Sequence, residues 1–453
     1  MANFDRLEQA MRAWVHDAVE YLSHTEPDVS SGLARWQRDS DGIFRKVERP
    51  VPVWQRSEVK AAQELPSWRA IEEVFQEDDR LAAHVDNLVG TAQGARRFEV
   101  EMAGRLVLPR PDEVKDLEAV FARRYENLDG FLAAEEIESV VIWPLPGLAS
   151  TEFPIRLEPD VELDLLSDDE LAAALNADVL RPTFPGMPLL DPSEEKHTRA
   201  GLRYRYRLPK VLGDNKQSLV QGEGLEGQLT GLQERIKQVL SLLFAEPVAV
   251  SGRASLHTDW TFLTGGVAFL QVPLSNAQRF RRLNFDAEVA KEVADTWRRL
   301  SPGLLQSQKA LALALRRLSY QANRQRIEDE MIDIMVAAEA LYLTRTEIQE
   351  LGFRLALRSA ALSDAGALGI TRRQVFDLMK AAYNSRSTIV HGDEPKPKDL
   401  KVKGVPVPLP DFVQATEDVV RQGLRQALNV ATDPKGKWPP DWDGLTLPKQ
   451  GKT

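Results

Sequence analysis

The strongest constraint on the fold is the apolar periodicity of the last third of the chain. From about residue 301 to residue 431, apolar residues recur at three- and four-residue steps in consecutive segments that have short connections. This spacing predicts amphipathic helices that each bury one face. The predicted helices cover residues 310–320, residues 327–343, a segment from 346, a segment from about 371, and residues 411–430. Together they predict an up-and-down helical bundle.

The chain of 453 residues is long enough for two or three domains, since a single core stops growing at about 250–300 residues. Residues 1–135 indicate a mostly helical N-terminal region, with an irregular polar stretch at about 26–54. Residues 136–300 indicate an α+β domain, which we interpret as a sensor or regulatory domain. Residues 301–431 form the predicted bundle, and residues 432–453, rich in Pro, Lys and Gly, predict a flexible tail. The predicted fold class is a mainly helical α+β multidomain protein.

The middle region carries strand patterns. A β-branched run at 140–142, followed by Trp143, predicts a strand, and Ser167 with Glu170 forms a capping box before a short helix. Further strands are predicted at 248–254 and 267–272. The segment RYRYRL from Arg203 alternates as a half-buried strand does, and this is the interpretation we favour. The alternative is an RNA platform of stacking rings and phosphate-binding arginines.

The composition excludes several kinds of site. The chain has no cysteine, which excludes disulfides, thiolate metal sites and cysteine nucleophiles. Its six histidines show no close zinc-motif spacing, and we expect neither a metal nor another cofactor. The first twenty residues lack the pattern of a secretory signal, and no apolar run approaches the roughly 18 residues of a membrane span. We therefore expect a cytoplasmic protein without membrane contact.

The net charge of −10 argues against a chain that coats nucleic acid through its overall field, so that any RNA contact must be local. The clearest basic cluster comprises Lys396, Lys398, Lys401 and Lys403. It is either a solvated loop or a surface that guides phosphates, and the residues alone leave both interpretations open.

Arg386 and His391 are the candidate catalytic pair. A neutral imidazole can accept the proton of a ribose 2′-hydroxyl, and its conjugate acid can protonate the leaving 5′-oxygen. A guanidinium can hold the phosphate and offset the charge that grows on its oxygens. These two groups suffice for cleavage of RNA without a metal. The spacing alone favours an ordinary histidine beside a solvated arginine, because five helical residues turn through about 500°.

Three blocks of sequence add a more specific signal. They are IDIMVAAEALYL, TEIQELGFRLALRSAAL and YNSRSTIVHG, in this order between about residues 310 and 430. This part of the chain resembles the HEPN superfamily, most closely its Apea-like branch, and YNSRSTIVHG is similar to the R-x4-H signature of that family followed by its usual glycine.

The resemblance implies a dimerising helical nuclease domain. Two R-x4-H motifs would meet in one RNA-cleaving cleft, with Arg386 on the phosphate and His391 as base or acid, and leave 2′,3′-cyclic phosphate ends. Many relatives are toxins or effectors of bacterial defence against phage, so the expected partners are RNA, a second copy, and a phage-derived trigger or neighbouring defence protein.

Two departures from the family pattern qualify the resemblance. Ser387 stands where active relatives often have Asn, Asp or His, and serine can still hydrogen-bond a phosphate or orient the histidine. Asp393 occupies the place of a tyrosine in the branch that nucleotidyl transfer regulates, so this control is not expected. The alternatives are a non-catalytic HEPN module that binds RNA or nucleotides or dimerises, and a structural partner in a larger defence complex.

The supporting residues have plainer interpretations beside the functional ones. Glu339 lies in an apolar helix, where a carboxylate needs a partner. We favour a structural ion pair with Arg354 or Arg358 over a role beside the active site. Asn384 accompanies the motif, and Asp393 belongs either to a solvated turn or to the surroundings of His391. The tryptophans Trp143, Trp260 and Trp297 are interpreted as core rather than base-stacking platforms.

Overall fold

The computed structural model describes residues 4–30, 35–38, 44–47, 51–86, 88–89, 96–145, 147–167, 170, 200–210, 216–245, 250, 253–257, 283–321, 324, 326–344 and 347–446. The predicted fold class, a mainly helical α+β multidomain protein, is confirmed. None of the described helices combines the length and apolar character that a membrane span needs.

The helices of the described residues are α1 (Asp5–Leu22), α2 (Arg56–Ala62), α3 (Pro66–Glu77), α4 (Asp79–Ala82), α5 (Val100–Val107), α6 (Leu117–Ala133), α7 (Lys216–Leu243), α8 (Ala287–Arg299), α9 (Pro302–Ser307), α10 (Lys309–Gln321), α11 (Ile327–Tyr342), α12 (Leu351–Leu362), α13 (Arg372–Val390), α14 (Leu409–Thr432) and α15 (Trp442–Thr446). The segments Pro111–Asp116 and Pro397–Asp399 are 3-10 helices.

The strands are β1 (Asp28–Ser30), β2 (Arg35–Arg38), β3 (Phe44–Val47), β4 (Val51–Val53), β5 (Leu88–Val89), β6 (Arg96–Arg97), β7 (Glu136–Pro144), β8 (Leu148–Ser150), β9 (Ile155–Glu158), β10 (Val161–Leu165), β11 (Ala200–Pro209), β12 (Ala254–His257), β13 (Leu283–Phe285), β14 (Lys401–Val402) and β15 (Val405–Pro406). The stretch predicted as irregular at 26–54 therefore contains short strands, because β1 pairs with β4 and β2 with β3, both antiparallel.

The chain divides into two compact units, each made of several segments. Unit 1 comprises Met1–Pro144, Glu158–Thr230 and Ser251–Val272, and unit 2 comprises Leu145–Leu157, Gly231–Val250 and Pro273–Thr453. The predicted boundaries at 135, 300 and 431 divide the chain into consecutive segments instead, and they stay predictions.

The helical core of unit 1 follows from the apolar faces of its first helices. Leu7, Met11 and Trp14 of α1 are fully buried, as their spacing predicts. Trp14 packs edge-on against Trp68 of α3, with 4.8 Å between ring centroids. Its indole also donates to the carbonyl of Ala62 at 2.9 Å, so a large apolar side chain is buried with its polar atom satisfied.

Four strands of one sheet lie in unit 1 in the order β12-β7-β11-β10, all antiparallel. Tyr204 and Tyr206 of β11 are buried and stacked, with 5.6 Å between their centroids. Arg203 is also buried, and it pairs with Glu162, Asp164 and Glu170 at 2.6–2.8 Å. RYRYRL is therefore an ordinary sheet strand, and its rings are not an exposed stacking platform.

Other predictions for the middle of the chain have mixed outcomes. The capping box is confirmed, since the amide of Glu170 donates to Ser167 at 3.2 Å and the amide of Ser167 donates to Glu170 at 2.8 Å. The helix predicted beyond it, the strand at 267–272 and Trp260 lie outside the described residues. Trp143 and Trp297 are fully buried, as the sequence predicts for core residues.

Unit 2 contains the predicted helical bundle. Helices α10, α11, α13 and α14 pack through buried apolar residues that include Leu315, Ile334, Met379 and Val420. The predicted helices at 310–320, 327–343 and 411–430 are confirmed within two residues at each end. The helix predicted from Thr346 begins later, at Leu351.

A glycine permits a close approach between two helices of the bundle. A Cβ added at Gly423 of α14 would overlap the hydroxyl oxygen of Tyr342 at the end of α11. Because glycine has no side chain, the two helices can pack at this short distance.

Residues 433–446 of the predicted flexible tail include buried aromatic side chains, and the flexibility of this segment stays a prediction. Trp438 and Trp442 are buried, each 7% exposed, and Trp442 packs edge-on against Tyr342 with 6.2 Å between centroids. The guanidinium of Arg358 lies over the Trp442 ring at 5.2 Å. The polar composition of this segment did not indicate that its two tryptophans are buried. Their burial stabilises the packing of the segment on the bundle.

Candidate functional site

The candidate site is built on α13, whose two ends are fixed by local hydrogen bonds. At its start, Thr371 and Gln374 form a reciprocal capping box with distances of 3.2 and 2.8 Å. At its end, the amide of Gly392 donates to Ile389 at 2.9 Å and that of Asp393 donates to Thr388 at 3.1 Å. This pair of bonds is the Schellman arrangement, which places the glycine at positive φ.

Gly392 has φ of +86°, a conformation that a residue with a side chain rarely adopts. The glycine after the R-x4-H motif therefore has a local structural reason. His391 is the last residue before this turn and is exposed to solvent. Asp393 contributes to the helix end through the hydrogen bond of its backbone amide, and its side chain is exposed.

Arg386 and His391 project from different sides of this helix. Five residues at about 100° each place their Cα positions about 140° apart around the axis. Arg386 is half-buried, and its Nε is buried without a hydrogen-bond acceptor among the described residues. None of the hydrogen bonds or ion pairs in the described part of the chain joins the two side chains.

A cavity of about 450 Å³ lies beside α13. We call it the lysine groove, after the four lysines that line it: Lys380, Lys396, Lys398 and Lys401. Asn384 also lines it. All four lysines are exposed, and none has an ion-pair partner among the residues that the structure describes.

Two acids also line the groove, so its excess charge is positive but moderate. Asp377 pairs with Arg373 at 3.0 Å, which leaves Asp399 as the second acid beside the four lysines. Polar side chains of the same helix, Ser385 and Thr388, also line the groove. Exposed ammonium groups of this kind attract phosphates through charge, without geometric selectivity.

The lysines beyond α13 are carried by a short hairpin. Strands β14 and β15 are antiparallel neighbours, joined by Lys403 and Gly404, which both have positive φ (+54° and +83°). Two residues at positive φ are typical of the tight turn that matches the twist of a hairpin. Lys403 therefore lies at the tip of the turn and does not line the groove.

The structure brings together part of the predicted site. Asn384, Lys396, Lys398 and Lys401 line one cavity, whereas the lining does not include Arg386, Ser387 or His391. Lys380 was missed by the sequence analysis. Its position four residues before Asn384, on the same face of α13, is the signal that could have found it.

The predicted ion pair of Glu339 is wrong. Arg358 instead pairs with Glu347 at 2.5 Å, and Arg354 lies 3.4 Å from the same carboxylate. Glu339 is partly exposed and has no ion-pair partner among the described residues. The hydrogen bonds from Arg358 are the first cause that lowers the pKa of Glu347 to about 2.

The buried carboxylate of α11 is Asp333, which is six residues before Glu339. Its side chain is 3% exposed and pairs with Arg317 at 2.9 Å and Arg324 at 2.7 Å. Glu339 thus belongs neither to the lysine groove nor to this ion-pair network.

Among the described residues, no three His, Asp or Glu side chains lie close enough together to hold a metal ion. No family model, curated protein or solved structure matches the chain. The fold and the site together define a mainly helical α+β protein with a lysine-lined groove beside the end of a bundle helix.

Proposed function

We propose that the bundle of unit 2 is a metal-independent endoribonuclease of the HEPN type. The observation that carries this proposal is the lysine groove, which runs along the helix that ends at His391 and also carries Arg386. Phosphates of an RNA strand would lie against the exposed lysines. The resemblance of the three sequence blocks to the HEPN superfamily supports the same assignment.

The chemistry follows from the two motif side chains. His391 removes the proton of a ribose 2′-hydroxyl, whose oxygen attacks the adjacent phosphorus as the bond from phosphorus to the 5′-oxygen breaks. An imidazolium returns a proton to the departing 5′-oxygen. Arg386 binds the phosphate oxygens as their negative charge grows. The products are a 2′,3′-cyclic phosphate and a free 5′-hydroxyl.

A homodimer is part of the proposal. Arg386 and His391 point to different sides of α13. A single phosphate would therefore be contacted by Arg386 of one protomer and His391 of its partner. The Cα of His391 lies two helical turns beyond Asn384, on the groove side of the helix, which suits entry of the strand from the lysines.

The first experiment measures cleavage of RNA by the purified chain in EDTA, with the ends of the products identified. Wild type gives cyclic-phosphate ends, and His391→Ala and Arg386→Ala abolish them. His24→Ala, an exposed histidine of unit 1, is the matched control and leaves the rate unchanged. Cleavage by His391→Ala at the wild-type rate refutes the assignment.

A second experiment tests the groove. The double variant Lys396→Gln with Lys398→Gln weakens RNA binding, and it lowers the magnitude of the slope of log affinity against log salt by about 1.4, since two phosphate contacts with a single strand are lost. Lys403→Gln lies in the same segment outside the lining and leaves the slope unchanged. Equal effects of both changes would assign the binding to general charge.

A third experiment tests the dimer. Arg386→Ala and His391→Ala are each inactive, but a mixture allowed to exchange protomers regains activity, because one site of each mixed dimer has both groups. A mixture that stays inactive, with exchange shown by mass spectrometry of mixed dimers, contradicts the shared site.

A non-catalytic module that binds RNA or nucleotides, or dimerises, is the second candidate function. It is favoured by one observation, that the groove lining contains neither Arg386 nor His391. Ser387 in the motif points the same way. RNA binding that survives His391→Ala, with no cleavage by wild type, selects this function.

The resemblance also suggests a biological setting, an effector of bacterial defence or of a toxin system that acts in the cytoplasm. A phage-derived trigger or the product of a neighbouring gene would then control it. Co-purification with that neighbouring product, and arrest of growth when wild type but not His391→Ala is expressed, are the tests.

A further inference from the structure

Another cavity, also of about 450 Å³, lies in unit 1. Four arginines line it, Arg56, Arg105, Arg110 and Arg124, and we call it the arginine pocket. They come from the start of α2, the last turn of α5, the loop after α5, and the middle of α6. Elements distant in sequence therefore converge on one space with four guanidinium groups.

Among the described residues, none that lines the arginine pocket is acidic. Three carboxylates outside the lining contact the arginines. Glu101 lies 3.5 Å from Arg105, and Asp112 lies 3.2 Å from Arg110. Glu113 serves two of them, Arg110 at 3.1 Å and Arg124 at 2.5 Å.

Three of the four guanidinium groups, those of Arg105, Arg110 and Arg124, thus contact three carboxylates, and the fourth guanidinium leaves an excess of one positive charge. Arg56 has no ion-pair partner among the described residues. Like charges around one cavity repel one another, and an anion in the cavity would offset the remaining excess. The pKa of Arg124 is lowered by burial, an effect that Glu113 opposes and Arg110 reinforces.

Two of the guanidinium groups are fixed before any ligand binds. Arg124 donates to the carbonyl of Leu108 as well as to Glu113. Arg110 is held through both its side chain and its backbone amide, which donates to Glu113 at 2.9 Å. Donors that are already positioned lose little conformational entropy when they bind an anion.

One donor atom of Arg105 lacks a hydrogen-bond acceptor in the described part of the chain. Its Nε is buried and has no hydrogen-bond partner among the described residues. An unsatisfied buried donor costs about 1–3 kcal/mol, and more when it is charged. An oxygen of a bound anion would satisfy it.

The rest of the wall is apolar. Trp54 lines the pocket with Val59 and Leu108, and the indole nitrogen of Trp54 donates to the carbonyl of Pro109 at 2.8 Å, which fixes the ring. Such a surface accepts a flat apolar group, and an aromatic ring can stack on a planar base. The cavity volume lies in the range of about 300–1,000 Å³ that small-molecule sites occupy.

We propose that the arginine pocket binds a small phosphorylated compound with a planar body, of the size of a nucleoside monophosphate. Its phosphate lies among Arg56, Arg105, Arg110 and Arg124, because several planar guanidinium forks suit a phosphate dianion. Its planar part lies against Trp54. This binding is independent of the proposed RNA cleavage, which belongs to unit 2.

The test is calorimetric titration of the full chain with the four ribonucleoside 5′-monophosphates one by one, with inorganic phosphate, and with the nucleosides. At least one monophosphate binds more tightly than inorganic phosphate. The double variant Arg56→Gln with Arg105→Gln loses about tenfold or more in affinity. Trp54→Leu reduces the binding of the monophosphate to that of inorganic phosphate.

Two controls identify the site. Arg69→Gln changes an exposed arginine of the same unit outside the lining, and Lys396→Gln with Lys398→Gln changes the lysine groove, so both retain wild-type affinity. If the double arginine variant melts below wild type, Arg56→Gln alone, an exposed side chain, replaces it. The proposal is overturned if no monophosphate binds better than inorganic phosphate, or if the groove variant loses the binding instead.

Discussion

Acid should destabilise unit 1 through one buried histidine. His84 is 2% exposed; its Nδ1 lies 2.7 Å from the carbonyl of Arg80 and its Nε2 lies 3.1 Å from the ammonium of Lys210. The neutral ring thus donates through Nδ1 and accepts from Lys210 through Nε2. A second proton would bring two cations into contact inside the core. Burial first, and then the charge of Lys210, lower the pKa of His84 from 6.5 to about 4.

The sign and size of the effect follow from this pKa. Above pH 6.5 the imidazole is neutral in both the folded and the unfolded chain. Between pH 6.5 and about 4 only the unfolded chain takes up the proton, so the free energy of unfolding decreases as the pH is lowered. The full loss is about 3 kcal/mol, from about 1.4 kcal/mol for each pH unit in this window.

The perturbation is His84→Gln, whose amide does not titrate. Urea denaturation followed by tryptophan fluorescence, at steps from pH 7 to pH 4, gives the free energy of unfolding of each protein. Carboxylates contribute equally to both, so the stability of wild type relative to the variant falls by about 3 kcal/mol across this range.

His24→Gln, at an exposed histidine, is the control and follows the wild-type curve. Parallel curves for wild type and His84→Gln would refute the argument, because they would mean that His84 has the same pKa in the folded and unfolded chains.

Three further predictions concern stability and are measured by urea denaturation or thermal melting. Arg203→Met leaves three carboxylates without their shared cation and destabilises the fold by about 3–5 kcal/mol. Gly423→Ala places a methyl group against the hydroxyl of Tyr342 and costs about 1–3 kcal/mol. Trp442→Ala removes the buried anchor of the C-terminal segment and costs about 3–5 kcal/mol.

Each of these changes has a matched control. Arg205→Met alters a neighbouring arginine that is 48% exposed and has one ion pair, so its effect stays within about 1 kcal/mol. Gly130→Ala lies in α6, where an added Cβ meets nothing within 4 Å, and it stabilises by about 0.5–1 kcal/mol. Leu445→Ala, on the exposed side of α15, has little effect. A control that destabilises as much as its partner would contradict the corresponding argument.

The sequence predicted the elements whose signal is local. The helix that begins after Thr371 was predicted because the residues that form its cap and its apolar face are close together in sequence. The late start of α12 was not predicted, because Glu347 is engaged by Arg358, eleven residues further on. The short strands at 28–53 were missed for a similar reason, since their pairing connects residues that show no alternation of their own.

The candidate site was predictable to the same extent. The R-x4-H motif and the lysines after it are adjacent in sequence, so they could be named. That Lys380 joins Lys396, Lys398 and Lys401 depends on the turn at Gly392 and on the hairpin, and these fold the chain back beside α13. The arginine pocket gave no signal, because its four arginines are spread over residues 56–124 and meet only in the folded unit.

The geometry of α13 limits how the proposed nuclease site could be completed. Moving His391 to the side of α13 that carries Arg386, within one protomer, would unwind the end of the helix. This would break the backbone hydrogen bonds that Gly392 and Asp393 donate. Each bond contributes about 1 kcal/mol, and the glycine turn would also be lost. A second protomer can supply the missing group without unwinding. Cleavage should therefore depend on protein concentration more steeply than the first power below the dissociation constant of the dimer, and a first-order dependence there would place both groups in one copy.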